Sequence, residues 1–353
     1  MKLTIAPKLD SPARKRSAER ASIRVGCVQV SWRNDPLEHR ANLENAIRIA
    51  AENGAQIVFL PELTLSRYPA DVCPTGIPSE TAEPLLGGPT QSFVAELAKE
   101  LGIYIHASLY EDTGFEDGRG LNTAIVVNPD GKLHGKTPKL HIPVTEGYFE
   151  DKYFQEGPNQ DPYPTYELEL PGSPALGLPT CWDEWFPEVA RAYGLAGADI
   201  LCYPTAIGSE PDHPEFDTEP LWRQTIVGHA IANGLFIVVP NRWGNEGLIN
   251  FYGSSFIVDP YGRILARAER EGDEVLVARV HLGLLLEQRL VQVAPVRQQR
   301  LVELLEQAAL DLRLGEVRAG HDDVVAGLAR HQLGVEDLVG VVVVVPDLDA
   351  GLL

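Results

Sequence analysis

The sequence predicts an α/β protein, and two observations support this. From Ile23 onward, short apolar runs of the β type alternate with longer segments whose apolar residues recur at helical spacing. Such alternation is typical of helices packed on sheets. In addition, 353 residues with 44% hydrophobic content are enough to form a sizeable buried core.

The first half of the chain alternates strand and helix. Strands are predicted at IRVGCVQV, QIVFL, IYIHASLY and LNTAIVV. Helices are predicted at LEHRANLENAIRIAAENG, which Gly54 would end, and at TQSFVAELAKELG. The NPDG turn at 128–131 predicts a hairpin from the last of these strands into KLHGKTPK.

The second half begins with a segment rich in Pro, Gly, aromatic and acidic residues at 140–165, which predicts a long functional loop. Strands then follow at TYELEL, PALGLPT, ADILCYP and LFIVVPN, and Pro179 predicts that the second of them ends or bends there. Helices are predicted at WFPEVARAYGLAG, with Pro187 in the first turn, and at PLWRQTIVGHAIANG. GSSFIVDPYGRILARA predicts a strand, a turn and a strand.

The two ends of the chain differ from this central part. Residues 1–22 are polar, basic and without periodicity, which predicts a flexible leader. The folded domain is expected at 23–280, followed by an atypical tail at 281–353. In the tail, 284–310 suits a helix, and the apolar run at 335–353 suits a strand or a contact between subunits.

Charge and composition exclude several classes of function. A net charge of -20 and a pI near 4.8 disfavour nucleic-acid binding, because no basic stripe is available for phosphates. No apolar run reaches the roughly 18 to 20 residues that span a bilayer, so we expect a cytoplasmic protein without membrane contact. The four cysteines, Cys27, Cys73, Cys181 and Cys202, form no C-x-x-C pair and predict neither a disulfide framework nor a zinc site.

Three reactive side chains fall at the ends of predicted strands, where α/β folds present their functional groups. Glu62 follows QIVFLP, Lys139 ends KLHGKTPK, and Cys181 stands between an apolar strand and a helix. Each alone would more often be a surface carboxylate, a solvated lysine or a small buried thiol. Together they suggest a nucleophilic cysteine with a base and a cation beside it.

At these residues the sequence resembles the nitrilase, or carbon–nitrogen hydrolase, superfamily. The resemblance covers roughly residues 23–280 and keeps the family's motif order. The motifs are FLPEL, KTPKLHIP, CWDEWFPE, YPTAIGSEP, NRWGNEG and FYGSSFIVDPYG. It implies a four-layer α-β-β-α sandwich, a small-molecule substrate, no metal or cofactor, and a homo-oligomer of two or more copies.

The resemblance also implies roles for four residues. Glu62 would be the general base, Lys139 would stabilise the tetrahedral intermediate, and Cys181 would form a thioester. A second glutamate of the family corresponds to Glu150 in FEDKYF.

Within the superfamily, CWDEWFPE and YPTAIGSEP look most like the N-carbamoylputrescine amidase branch, so the expected substrate is a small ureide. Asp183, Glu184 and Glu210 would favour a cationic tail by Coulomb attraction, although each would equally suit a solvated or helix-capping acid. Trp182 would form a pocket wall or pack in the core.

Three alternatives stay open. In a β-ureidopropionase-type enzyme, Arg67 or Arg242 would pair a substrate carboxylate. A nitrilase or aliphatic amidase would use the same triad on another substrate, and a non-catalytic relative would only bind a small molecule. His106 and His229 are interpreted as structural histidines, because neither shows metal-ligand spacing.

Overall fold

The computed structural model describes residues 1–7 and 21–283. The predictions for most of the leader, for the helix at 284–310 and for the apolar run at 335–353 lie outside the described residues.

The strands of this part are β1 (Lys2–Ile5), β2 (Ser22–Gln29), β3 (Ile57–Phe59), β4 (Tyr104–Glu111), β5 (Leu121–Val127), β6 (Leu133–Pro138), β7 (Val144–Thr145), β8 (Tyr148–Phe149), β9 (Thr165–Glu167), β10 (Ala175–Gly177), β11 (Ile200–Cys202), β12 (Phe236–Val239), β13 (Trp243–Glu246), β14 (Ile249–Tyr252), β15 (Phe256–Val258), β16 (Ile264–Arg267) and β17 (Glu274–His281). The α-helices are α1 (Pro36–Glu52), α2 (Pro89–Leu101), α3 (Pro187–Leu195) and α4 (Glu219–Asn233).

Local chemistry explains where the helices begin and end. All four carry proline in the first turn, where the missing N–H costs nothing. The Asp35 side chain caps α1 by accepting a hydrogen bond from the Leu37 N–H at 2.9 Å. Gly102 and Gly234 end α2 and α4 in the left-handed conformation that glycine adopts without strain.

The strands form two large sheets. The first has the order β1-β17-β2-β3-β4-β5-β6, and the second has the order β16-β15-β12-β11-β10-β9. Each contains a parallel block, β2-β3-β4 in one and β10-β11-β12 in the other. The predicted hairpin is present as the antiparallel pair β5 and β6.

Three apolar cores separate the layers. One lies between the sheets and includes Phe59 and Cys27 from the first sheet and Phe236 from the second. A second packs α1 and α2 on the outer face of the first sheet, and a third packs α3 and α4 on the outer face of the second. This arrangement is the four-layer α-β-β-α sandwich implied by the sequence.

The start of the chain corrects one prediction. Residues Lys2–Ile5 were expected in a flexible leader, but they form β1, parallel to β17 at the sheet edge. Lys2 Nζ lies 3.2 Å from Glu274 Oε1. β1 is an edge strand of four residues whose side chains stay largely exposed, so the short alternation KLTI was too weak a signal to separate it from the polar segment that follows.

Two further features were not predicted. β17 pairs with β2 over its full length, from Glu274 opposite Gln29 to His281 opposite Ser22. β13 and β14 form a small hairpin beside the second sheet, and its polar WGNE segment carries no strand signal. Within residues 1–7 and 21–283, no helix is both long and apolar enough to cross a bilayer.

Candidate active site

Three loops at strand ends carry the predicted reactive residues. Glu62 lies shortly after β3, Lys139 directly follows β6, and Cys181 begins a short 3-10 helix, Cys181–Trp185, beyond β10. The Lys139 N–H still bonds to the Asn122 carbonyl of β5 at 2.8 Å, so the sheet fixes its backbone. Both sheets therefore carry residues of this candidate site.

The Lys139 ammonium lies between two buried carboxylates. Its Nζ is 3.0 Å from Glu62 Oε1 and 2.7 Å from Glu150 Oε2, and none of the three side chains is more than 1% exposed. Burial alone would lower the pKa of Lys139, but Glu150 and Glu62 raise it well above the ordinary value. Lys139 is therefore a fixed positive charge.

The Glu62 carboxylate has one occupied and one unoccupied oxygen. Oε1 accepts from Lys139 and from Asn122 Nδ2, the latter at 2.6 Å. Asn122 is itself oriented by the Ser108 hydroxyl, which donates to Asn122 Oδ1 at 3.1 Å. In the described part of the chain, Glu62 Oε2 has no hydrogen-bond partner although it is buried. One oxygen is therefore held for orientation and the other is available to accept a proton.

Glu150 sits on the 3-10 helix Glu150–Lys152 and completes the set. Its Oε1 accepts from the Tyr68 hydroxyl at 2.8 Å, opposite the bond from Lys139 to Oε2. Burial raises the pKa of Glu150 to about 7, although Lys139 acts to lower it. This carboxyl therefore titrates near neutral pH.

Cys181 stands at a strained turn. Its φ is +42°, a left-handed conformation that costs a non-glycine residue about 1–2 kcal/mol, and its N–H is anchored to the Pro204 carbonyl at 3.0 Å. Burial and the negative charge of Glu62 raise the pKa of the thiol well above its usual value, whereas Lys139 lowers it. The resting group is a thiol close to Glu62, Lys139 and Glu150, and it needs a base.

Asp183 joins this turn to the loop of Lys139. Its Oδ2 accepts from the Thr180 N–H at 2.9 Å, and its Oδ1 accepts from the His141 N–H at 2.9 Å and lies 2.8 Å from His141 Nδ1. The His141 ring stacks on Phe186 with centroids 3.7 Å apart. Both oxygens accept from groups of the protein, so Asp183 holds the site together, and its role as a substrate contact stays a prediction.

Arg242 is engaged within the protein. The β-ureidopropionase alternative would have it pair a substrate carboxylate, but it is 3% exposed and binds Glu246 through both carboxylate oxygens at 2.7 and 2.8 Å. The rest of the guanidinium donates to main-chain carbonyls, including Glu62 O at 3.1 Å and Leu63 O at 2.8 Å. All of its donors are engaged, so Arg242 supports the Glu62 loop.

Arg67 is engaged in a similar way. Its two terminal nitrogens bind Asp71 at 2.8 and 2.6 Å, and it also donates to the Tyr68 and Glu246 carbonyls. A bidentate pair of this kind occupies the terminal nitrogens that would otherwise bind a substrate carboxylate. The role of Arg67 as a substrate contact stays a prediction.

The other predicted contacts remain compatible with binding. The Trp182 ring is partly buried and lies 6.1 Å from the Trp185 ring, so the two form one aromatic wall. Glu184 is fully buried, and burial raises the pKa of its carboxyl well above the usual value, although a hydrogen bond from Trp222 acts to lower it. Glu210, in the loop after β11, is partly exposed, and burial raises its pKa despite nearby His213.

His106, His229 and Cys202 have structural contacts. His106 Nδ1 lies 3.8 Å from Cys202 Sγ, and burial lowers the His106 pKa to about 3. His229 Nε2 lies 2.8 Å from the Glu184 carbonyl. Over residues 1–7 and 21–283, no group of three or more His, Cys, Asp or Glu side chains is arranged to hold a metal ion.

Sequence reasoning missed Asn122 and Tyr68. Asn122 is the single amide in the apolar strand LNTAIVV, a buried polar residue that must find partners. That signal was available. Tyr68 carried no local signal, because its partner Glu150 lies 82 residues away.

Comparisons with known proteins identify the family of this chain. The carbon–nitrogen hydrolase family model matches residues 24–289. The chain is 36% identical over 276 residues to a citrullinase of Francisella tularensis, covering 76% of this chain and 92% of that protein. It is 35% identical over 268 residues to an N-carbamoylputrescine amidase of Solanum tuberosum, covering 74% and 86%.

Among solved structures, a carbon–nitrogen hydrolase from Helicobacter pylori superposes with a TM-score of 0.67 at 31% identity, covering 76% of this chain and 92% of that one. An amidase from Nesterenkonia gives a TM-score of 0.63 at 25% identity, covering 82% and 99%. The family model covers most of this chain, and the fold is similar to that of a solved carbon–nitrogen hydrolase. This chain therefore belongs to the carbon–nitrogen hydrolase family and is an enzyme of that family.

Proposed function

We propose that this enzyme hydrolyses N-carbamoyl amines through a thioester on Cys181. The proposal rests on the different environments of the two Glu62 carboxylate oxygens. Oε1 accepts hydrogen bonds from Asn122 and Lys139, whereas Oε2 has no partner among the described residues. A buried thiol with a raised pKa needs such a base to become a nucleophile. The similarity to N-carbamoylputrescine amidases supports a ureide as the substrate.

The first half-reaction forms the thioester. Glu62 Oε2 takes the Cys181 proton, and the sulfur adds to the ureide carbonyl carbon. The oxyanion is stabilised by the Lys139 ammonium and by the backbone N–H of Trp182 in the same turn as the nucleophile. Glu62 returns the proton to the departing nitrogen, which leaves as a neutral amine.

The second half-reaction releases the carbamoyl group. Glu62 takes a proton from water, and the resulting hydroxide adds to the thioester carbonyl. The tetrahedral intermediate expels the thiolate, which regains a proton from Glu62. The carbamate product decomposes to carbon dioxide and ammonia, so the overall products are amine, carbon dioxide and ammonia.

The environments of Arg67 and Arg242 argue against the β-ureidopropionase alternative. That reaction needs a cation for the substrate carboxylate, and both arginines are engaged by acids and carbonyls. Citrulline is a second candidate substrate, because a relative of 36% identity is named a citrullinase. Its ureido group is the same, and its tail carries an ammonium beside a carboxylate.

A panel of substrates tests the proposal. We expect ammonia release from N-carbamoylputrescine or citrulline, little from N-carbamoyl-β-alanine, and none from any of them with Cys181→Ala. If the enzyme hydrolyses only a nitrile or an aliphatic amide, the proposed ureide substrate is wrong and that compound class takes its place. Absence of turnover on the whole panel, with binding of a ureide retained, would favour a non-catalytic relative.

We also propose that the enzyme is a homo-oligomer of two or more copies. Exposed leucines on the outer helices support it, since Leu195 at the end of α3 is 61% exposed and Leu221 in α4 is 51% exposed. Light scattering after size exclusion measures the assembly, and a monomer at micromolar concentration would refute it.

A further inference from the structure

His39 is a polar side chain on the otherwise apolar buried face of α1. The other buried residues of this helix are Leu43, Ala46, Ile47 and Ala50, and they pack on the outer face of the first sheet. His39 is only 3% exposed. A polar group enclosed to this degree needs a hydrogen-bond partner inside the protein.

That partner is the main chain of the loop that carries Glu62. His39 Nε2 lies 2.9 Å from the carbonyl oxygen of Thr64, two residues after Glu62. Burial lowers the pKa of His39, although the bond to Thr64 acts to raise it, so the ring is neutral at pH 7 and has a single N–H. Because a carbonyl oxygen can only accept, Nε2 is the nitrogen that carries this proton.

The imidazole ring is fixed in place. Its Nδ1 is buried and has no hydrogen-bond partner among the described residues, so the bond to Thr64 is the one that directs the ring. The Trp32 ring packs against it with centroids 4.6 Å apart. The main-chain N–H of His39 donates to the Asp35 carbonyl at 2.9 Å, which anchors the residue in the first turn of α1.

The loop that carries Glu62 is strained and is held from several sides. Leu63, the next residue, has a φ of +50°, in the left-handed region. Arg242 donates to the Leu63 carbonyl at 2.8 Å, and the Thr64 N–H donates to the Ser108 carbonyl of β4 at 2.8 Å. Both sheets therefore hold this loop, and the outer helix α1 supplies the donor for the Thr64 carbonyl.

We propose that His39 is a positioning residue for the general base, whose Nε2–H fixes the Thr64 peptide and thereby keeps Glu62 oriented to take the proton of Cys181. It acts through the loop and does not touch the substrate. Its loss should therefore slow proton transfer and leave substrate binding nearly unchanged. The inference rests on the proposed function only for the role of Glu62 as the base.

The test measures alkylation of Cys181 by iodoacetamide, followed by mass spectrometry of the peptide that contains it, because Cys73 is exposed and reacts as well. We expect His39→Leu to slow this alkylation by about 3- to 10-fold at neutral pH. His39→Gln places an amide N–H at the position of Nε2 and should return the rate to within about twofold of the parent. With a substrate that the enzyme hydrolyses, kcat should fall by the same factor and KM should stay within about twofold.

Two further variants separate positioning from general destabilisation. Leu43→Ala, one turn along the same face of α1, is the matched control, because it removes apolar packing but no hydrogen bond. It should lower the free energy of unfolding and leave alkylation within about twofold of the parent. In a Glu62→Gln background the base is already lost, so adding His39→Leu should slow alkylation no further.

Three results would overturn the proposal. They are alkylation of folded His39→Leu at the parent rate, a His39→Gln variant as slow as His39→Leu, and a further slowing by the same factor in the Glu62→Gln background. Because alkylation needs no substrate, absence of ureide hydrolysis would count against the proposed function and leave the role of His39 to be decided by these rates.

Discussion

Replacing Asn122 by leucine tests how the base is held. Asn122 Nδ2 donates to Glu62 Oε1 at 2.6 Å, and both residues are 0% exposed, so no water can replace the lost donor. A hydrogen bond to a charged group contributes about 1.5–3 kcal/mol. If that energy orients Glu62 for proton transfer, its loss slows the reaction roughly 10- to 100-fold.

The assay measures ammonia release with the ureide that the enzyme hydrolyses, together with alkylation of Cys181 by iodoacetamide. We expect kcat to fall with KM nearly unchanged, and alkylation to slow in parallel, because both depend on proton removal by Glu62 Oε2. Ser108→Ala should give a smaller loss in the same direction, since the Ser108 hydroxyl orients the Asn122 amide.

Thr123→Val provides the matched control. Thr123 is the next residue of β5, equally buried, and its hydroxyl donates to Glu111 Oε2 at 2.6 Å on the opposite face of the strand. We expect it to lower stability without changing kcat. A loss of kcat as large as that of Asn122→Leu would refute the reasoning, because the effect would then follow from strand stability alone.

Three further changes test the supports of the site. Burial raises the pKa of Glu150 from 4.5 to about 7, so between these pH values the folded protein keeps a proton that the unfolded chain has released. The free energy of unfolding should therefore fall as pH rises from about 4.5 to 7. Urea titrations of Glu150→Gln over this pH range should show a smaller fall. Arg242→Met leaves the Glu246 carboxylate buried without its counter-charge, so the free energy of unfolding should fall by about 3–5 kcal/mol. Adding Glu246→Leu removes that charge and should restore much of the lost stability. A double variant as unstable as Arg242→Met would contradict the explanation. Asp183→Asn replaces one of the two carboxylate oxygens by an NH2 group, so the bond to either the Thr180 N–H or His141 is lost and slowed alkylation of Cys181 is expected; an unchanged rate would show that the turn holds without it.

The predictable part of the fold is the part with strong apolar patterning. β4 and β5 were predicted within a residue of their bounds, because every residue of each strand is buried and apolar residues dominate. β1 and β13 were not, because β1 has only four, largely exposed residues and the WGNE segment of β13 is mostly polar. Exposed strands owe their place to backbone pairing, which leaves little trace in sequence.

The same distinction applies to the site. Glu62, Lys139 and Cys181 follow strands, so position alone made them candidates. The β-ureidopropionase alternative would have Arg242 pair a substrate carboxylate, although NRWGNEG also contains Glu246, the partner to which the structure pairs it. The main-chain acceptors of Arg242, the carbonyls of Glu62 and Leu63, lie 180 and 179 residues away, and no local pattern reports them.

The contacts from Arg242 to the Glu62 loop also explain how Glu62 and Cys181 are held close to each other. Leu63, next to Glu62, and Cys181 both have strained positive φ values, 50° and 42°. Loops of the second sheet hold each of them, since Arg242 after β12 binds the Leu63 carbonyl and the Pro204 carbonyl after β11 accepts from the Cys181 N–H. Glu62 follows a strand of the first sheet, but its loop is held by Arg242 from the second sheet, which also carries Cys181. Strain at both turns is thus offset by contacts that also set the spacing between proton donor and acceptor.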